Sequence, residues 1–248
     1  MEEVFNLSTE EYDNFLKCLS ILKDLCNDVD IKSGFIRQRS NDVTSIFEID
    51  LTSFIQDADF PISNLNQKIS MLKGFSVSPE VQIKREGSSF LFKDQYSSYE
   101  VSCPSPDFMD NRFITEDELA KVFDIDEEKL ILDYELSTTI TDRIKMVSQS
   151  FNIVTIQVVF NGETITLEAR SQAKDQYFKI IEGVISNKVI ENSNLSLVIT
   201  PFVIEHDSNI QFKMYELQDD VVVNKFTTDF GGANINIFTR ASIKKEGI

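Results

Sequence analysis

Histidine occurs once in the chain, at His206, and cysteine three times, at Cys18, Cys26 and Cys103, with no CxxC spacing. A Ser–His–Asp triad needs histidine in partnership, and a zinc site needs clustered histidine or cysteine, so neither chemistry is expected. Three thiols make no even disulfide framework and suit a reducing compartment, which points to the cytoplasm. Tryptophan is absent, glycine is scarce at 8 in 248 residues, and no GxGxxG or Walker-type loop occurs. That argues against a deep, loop-built active site. No apolar run approaches the ~20 residues that cross a bilayer, so no membrane partner is expected. The opening "MEEVFNLSTEEY" is acidic and lacks the basic region of a secretory signal.

Positive charge is the other shortage. Lysine and arginine number 24 against 41 aspartates and glutamates, for a formal net charge of -17. Such a field keeps a protein soluble and repels nucleic acid from most of its surface, so any nucleic-acid site must be a local basic patch. Acids this numerous fall near one another by chance, so a carboxylate pair carries no specificity as an acid–base dyad. "DFGGAN" at 229–234 lacks the HRD loop and the glycine-rich lysine strand of a kinase, and reads as a β-turn before the last strand. His206, in "IEHDSN", reads as a surface turn residue. No enzymatic activity, metal or cofactor is expected.

What is present is clear periodicity in an ordinary globular composition. Residues 8–26, "STEEYDNFLKCLSILKDLC", open on Ser8 or Thr9 as a cap, followed by Glu10 and Glu11. Tyr12, Phe15, Leu16, Leu19, Leu22 and Cys26 share one helical face; Lys17 lies across from it and Lys23 at its edge. Two β-type runs around a polar "RSND" turn come next. "ISNLNQKISMLKGF" at 62–75 reads as a short helix carrying Lys68 and Lys73, and strands around a Glu-Gly turn at 86–87 follow. The stretch 103–129 holds two of the five prolines and a run of acids. It reads as a linker with a short helix near 115–123, capped by Thr115 with Glu118 in the capping-box position. Domains are therefore expected at 1–104 and 130–248, with a linker at 105–129.

After the linker the order of elements recurs. A strand at 130–136 leads to a helix, "TTITDRIKMVSQSF" at 138–151, and then to strands with "FNGE" at 160–163 as a hairpin turn. On that helix Ile140, Ile144, Val147 and Phe151 share one face. Asp142, Lys145 and Gln149 take the opposite one, and Arg143 sits on a flank.

This order, with the wording of several segments, resembles the DNA polymerase sliding clamps, most closely the two-domain processivity clamps of T-even-type phages, relatives of PCNA. The first half carries the likeness in "IKSGFIRQRSNDVTSIFEIDL" and "LNQKISMLKGFSVSPEVQIKREGSSFLFKDQYSSYEVSCP". The second carries it in "DRIKMVSQSFNIVTIQVVFNGETITLEA", "LSLVITPFVIEHDSNIQFKMYE" and "NINIFTRASI". Two departures stand out: the linker is longer and more acidic, and the second short helix of the second half shrinks to "TPFVI", with no cation.

The resemblance implies an α+β fold of two clamp-like domains, each with helices packed on antiparallel β-sheet, and a homotrimer of two-domain chains closed into a ring of six domains. It implies a non-catalytic processivity factor that encircles double-stranded DNA without reading its sequence. Lys17, Lys23, Lys68, Lys73, Arg143 and Lys145 would line the hole. Peptides of the DNA polymerase and the clamp loader would dock in an apolar pocket beneath the linker, near Val43, Ile46 and Ala241, flanked by Phe108 and Met109. For a phage-encoded clamp the location would be the host cytoplasm.

Two other classes compete. An acidic structural or DNA-mimic protein, of viral type, would bind a nucleic-acid-binding partner; it needs closely spaced acids on an exposed face and no cationic helix faces. A carboxylate–metal enzyme needs acids clustered at strand ends, whereas here they are scattered through helices and turns.

Overall fold

The computed structural model describes residues 4–104, 113–122, 126–162, 164–170, 177–183, 190–217 and 220–245. The chain forms two compact units, Met1–Glu116 with Asp229–Ile235, and Asp117–Thr228 with Asn236–Ile248.

In the first unit β1 (Val4–Ser8) runs directly into α1 (Thr9–Leu22). The cap is Ser8. Its Oγ accepts from the Glu11 N–H at 3.3 Å, and its own N–H donates to Glu11 Oε2 at 2.8 Å, the reciprocal capping box. Those bonds hold the Glu11 carboxyl below its ordinary range. Tyr12, Phe15, Leu16, Cys18, Leu19 and Leu22 are buried along the helix. Each such side chain contributes roughly 1.5–3 kcal/mol relative to exposure, so the stripe holds the helix far more firmly than its cap.

Next come β2 (Val29–Lys32), β3 (Phe35–Arg39), β4 (Ser45–Asp50), β5 (Phe60–Ile62), α2 (Leu65–Leu72), β6 (Glu80–Glu86), β7 (Ser89–Lys93) and β8 (Ser98–Ser102). Strands pair antiparallel in the orders β1-β6-β7-β8 and β5-β2-β3-β4. Helix α2 buries Leu65, Ile69 and Leu72 at helical spacing. The Tyr12 hydroxyl donates to the Leu72 carbonyl at 2.9 Å, and burial pushes its pKa well up. Tyr12 also meets Phe92 and Phe75 edge-on, so one aromatic ties both helices to the sheet. Because β2 pairs with β3 only as far as Ile36, Ile114 N–H can reach the Arg37 carbonyl at 2.8 Å, and Ile114 is buried there.

The short helix after the acidic stretch is α3 (Glu116–Val122). The second unit then repeats the sequence of elements: β9 (Leu130–Leu136), α4 (Thr138–Phe151), β10 (Thr155–Gly162), β11 (Thr164–Arg170), β12 (Tyr177–Gly183), β13 (Ile190–Val198), α5 (Thr200–Val203), β14 (Ile210–Glu216), β15 (Val221–Phe230), β16 (Ala233–Ser242) and β17 (Lys244–Lys245). Sheet orders repeat as well, β9-β14-β15-β16 and β13-β10-β11-β12, with β17 added beside β13. Helices α1 and α4 each have 14 residues and follow a serine at the N-cap, Ser8 and Ser137. On α4, Thr141 and Ile144 are buried, whereas Ile140, Val147 and Phe151 are only half-buried and Met146 is 66% exposed. The apolar face read from periodicity is thus only partly covered.

"DFGGAN" is the two-residue turn between β15 and β16. Gly231 and Gly232 both have positive φ, 59° and 80°, as a type I′ turn requires.

One buried group sits uneasily in the first unit. Asp30, on β2, is 9% exposed; its Oδ1 has no hydrogen-bond partner and only Lys32 Nζ nearby, at 3.5 Å. Burial raises its pKa; Lys32 opposes the shift and Asp59 adds to it. A carboxyl whose folded pKa is raised favours the fold below its unfolded pKa, and that contribution is lost as pH rises through the folded value. Asp30→Asn is therefore expected to raise the melting temperature at neutral pH by a few degrees and to leave it nearly unchanged near pH 3, where aspartate is protonated in both states. Thermal melts at both pH values check this; an equal gain at each would assign the effect to packing.

Candidate nucleic-acid interface

Helices α1 and α2 lie side by side and antiparallel. Tyr12, near the start of α1, bonds Leu72 at the end of α2, while Lys23 and Asn27, past the end of α1, face Asn64 and Leu65 at the start of α2 across an open polar cleft of ≈ 630 Å³. This arrangement gathers cations far apart in sequence on one helical layer. Lys17 and Lys73 are exposed and Lys23 is half-buried at the end of α1. Lys17 Nζ donates only to Asn14 Oδ1, one turn back, at 3.2 Å. On α4, Arg143 is exposed and Lys145 half-buried.

Lys68 is placed differently. Its ammonium is turned inward, donating to Ser63 Oγ at 3.1 Å and the Ser102 carbonyl at 3.2 Å, and burial lowers its pKa. A lysine so engaged would have to break two bonds to meet a phosphate. The short α5 buries Pro201 and Phe202 and carries no cation, as "TPFVI" foretold.

Pairing separates the helix cations from several others. Among the described residues, Lys17, Lys23, Lys73, Arg143 and Lys145 form no ion pair. Several strand cations are paired: Lys32 with Asp30, Arg37 with Glu48 at 2.7 Å, Lys84 with Glu86, Lys179 with Glu168, and Lys213 with Glu127 and Asp133, although Arg39, Lys93 and Lys225 have no such pair among the described residues. An unpaired lysine keeps its full charge for a phosphate, whereas a paired one must first give up its carboxylate. Acids accompany these cations in each unit, Asp13 and Asp24 on and after α1 and Asp142 on α4, which offsets part of the positive charge.

Sequence reasoning missed the amides. Asn27, Asn64, Asn66 and Gln67 line the cleft beside Lys23, with Asp28 accepting from the Asn64 N–H at 2.9 Å. Such amides donate hydrogen bonds to phosphate oxygens without reading a base. The run "SNLNQ" was the available signal.

The expected peptide pocket fares less evenly. Val43 is 70% exposed in the turn after β3, with φ 59°. Ile46 is buried, at 8% exposed, on the β4 face it shares with the half-buried Glu48 and Asp50. Ala241 is half-buried near the end of β16. Phe108 and Met109 lie outside the described residues.

Among the described residues no group of three or more His, Cys, Asp or Glu is placed to hold a metal ion, and no helix is long and apolar enough to cross a membrane. His206 Nδ1 lies 2.9 Å from the Ser208 carbonyl within its own turn. Cys18 and Cys26 are buried thiols whose Sγ atoms donate to the carbonyls of Phe230 and Arg39.

No family model and no curated protein matches the chain. Solved structures do. PCNA of Entamoeba histolytica superposes with a TM-score of 0.63 at 11% identity, over 98% of each chain. A structure of A. fulgidus PCNA with the C-terminal region of FEN-1 gives 0.60 at 11% identity over 100% of each chain. The PCNA2–PCNA3 complex of Sulfolobus tokodaii gives 0.60 at 11% identity, over 96% of this chain and 98% of that one. Across essentially its whole length, the chain has the fold of the PCNA sliding clamps.

Proposed function

We propose that the protein is a sliding clamp: a non-catalytic ring that encircles duplex DNA and tethers a replicative polymerase. The carrying observation is charge placement. In a chain of net charge -17, Lys17, Lys23, Lys73, Arg143 and Lys145 form no ion pair among the described residues, while several strand cations are matched by acids. A ring whose helices face the hole would offer the duplex a favourable potential only there. Lys17, Lys23, Lys73 and Lys145 would touch phosphates weakly and reversibly, which permits sliding and gives no sequence preference. Lys68 would join them only after leaving Ser63 and Ser102. The same placement disfavours a DNA mimic, which has no use for cationic helix faces.

Two strands support the ring reading. β8 ends the order β1-β6-β7-β8, and β12 ends the order β13-β10-β11-β12. An unpaired edge invites another strand, and pairing β8 of one copy with β12 of the next, three times, closes a ring. Polymerase and loader peptides would bind near Val43 and Ala241, with Phe108 and Met109 beside them. The test is the solution mass by light scattering. Three chains of 28.4 kDa are expected. A monomeric mass at tens of micromolar, with no larger species on circular duplex DNA, would overturn the reading.

A further inference from the structure

The internal repeat exposes one contact that is made in the first unit and left open in its counterpart. The tip of the β15–β16 hairpin, within Asp229–Ile235, packs on α1. The Cys18 thiol donates to the Phe230 carbonyl at 3.3 Å, and a Cβ at Gly231 would stand 2.9 Å from the Asn14 carbonyl oxygen and 3.3 Å from Lys17 Cβ. Asn14 and Cys18 therefore form the covered flank, beside the stem of Lys17, whose ammonium end stays exposed; Cys18 is fully buried.

Aligning Ser8 with Ser137 sets Tyr12 on Thr141 and Phe15 on Ile144, and all four are buried. The same alignment sets Asn14 on Arg143, Lys17 on Met146 and Cys18 on Val147. There the cover is thinner: Arg143 is exposed where Asn14 is half-buried, Val147 is half-buried where Cys18 is buried, and the 66% exposed position is an apolar Met146 where α1 has the solvated Lys17. The equivalent hairpin, by its place in the sheet, is β7–β8, and its tip is bare. Tyr96 at that tip is 83% exposed.

The tip is nonetheless built, not loose. Asp94 Oδ1 accepts from the N–H groups of Tyr96 at 2.8 Å and Ser97 at 2.6 Å, and Asp94 N–H donates to the Ser97 carbonyl at 3.0 Å. Ser78 Oγ donates to the other carboxylate oxygen. A rigid turn that holds an aromatic in water is an interface anchor in waiting, since little entropy is lost when it docks.

We propose that the β7–β8 turn of one copy, led by Tyr96, seats on the α4 flank formed by Arg143, Met146 and Val147 of the next copy. The charges agree in sign: Asp94 and Glu100 on the arriving hairpin outnumber Lys93, and on the helix Arg143 and Lys145 outnumber Asp142. The contact is continuous with the strand pairing described above, because the turn enters β8 two residues after Tyr96. This inference rests on the ring reading but names a contact that the ring does not require. It also moves Arg143 from the hole to the seam between copies.

The experiment compares wild type with Tyr96→Ser and Met146→Ser by sedimentation, and mixes Tyr96→Cys with Met146→Cys protein, both carrying Cys103→Ser, before a short bis-maleimide cross-linker. Expected are a trimeric wild type, a dissociation midpoint raised about tenfold to thirtyfold in each serine variant with unchanged thermal melts, and cross-linking of the mixture but of neither variant alone. A trimer unaffected by either serine and not cross-linked in the mixture overturns the contact and leaves the ring standing. A wild type that is monomeric at every concentration, with no cross-link, overturns the ring as well.

Discussion

Gly231→Ala is expected to destabilise the first unit by about 2–4 kcal/mol, whereas Gly87→Ala costs about 1 kcal/mol. The two glycines share a backbone conformation, φ 59° and φ 61°. Each alanine bears the same left-handed penalty, roughly 1 kcal/mol. They differ in what a Cβ meets. At Gly87 nothing lies within 4 Å, but at Gly231 the new carbon would stand 2.9 Å from the Asn14 carbonyl oxygen and 3.4 Å from its Cα. That oxygen belongs to helix backbone, so either α1 shifts or the hairpin tip lifts, and Cys18 loses its cover. Overpacking of this kind adds about 1–3 kcal/mol. Urea midpoints with unchanged slopes measure the difference. Equal losses at the two positions would mean that the tip does not press on α1, and would remove the template for the contact proposed between copies.

That glycine pair shows what was legible in the sequence and what was not. The turn could be read, because only a Gly-Gly pair between strand-forming runs satisfies two positive φ angles so easily. Its contact could not, since Asn14 lies more than two hundred positions away. The first helix was legible down to its capping box, because Ser8 and Glu11 are local partners and Tyr12, Phe15, Leu16, Leu19 and Leu22 keep one face. The recurrence of helix, strands, short helix and strands was legible for the same reason, each element being a local pattern, whereas the opening strand β1 went unread.

Long-range facts escaped. Lys68 has the spacing of an exposed helix cation, yet the carbonyl that turns it inward belongs to Ser102, 34 residues on. Ile46, placed near the pocket by the resemblance, shares its β4 face with Glu48 and Asp50 and is nonetheless covered, at 8% exposed. The four apolar residues of α4 obeyed the helical period and are still only partly covered. Periodicity says which side of a helix is apolar and is silent on whether one chain supplies the whole cover.

Lys17→Ala and Lys145→Ala are each expected to flatten the salt dependence of clamp retention on circular duplex DNA. Each lysine–phosphate contact contributes a slope of about 0.9 to log affinity against log salt. One substitution removes three cations from a trimer, so the limit is about 2.7, and a duplex that leans on one side of the hole at a time would lose nearer 0.9. Lys17 is the better probe, being exposed with only the Asn14 amide as partner, whereas Lys145 is half-buried and must extend from the helix edge. The control is Lys84→Ala, a strand lysine paired with Glu86 at 3.5 Å. It removes the same formal charge, but the phosphate slope should stay where it was. Melting temperatures should hardly move in any of the three, because Lys17 is exposed, Lys84 and Lys145 are half-buried with their charged ends at the surface, and such lysines contribute little to folding. DNA sequence should not matter either, since phosphates look alike along any duplex. The readout is loaded protein retained on circular DNA across a salt series. Slopes unchanged in both helix variants, or lowered equally in the Lys84 control, would show that the unpaired helix cations are ordinary solvated charges and that no duplex passes over them.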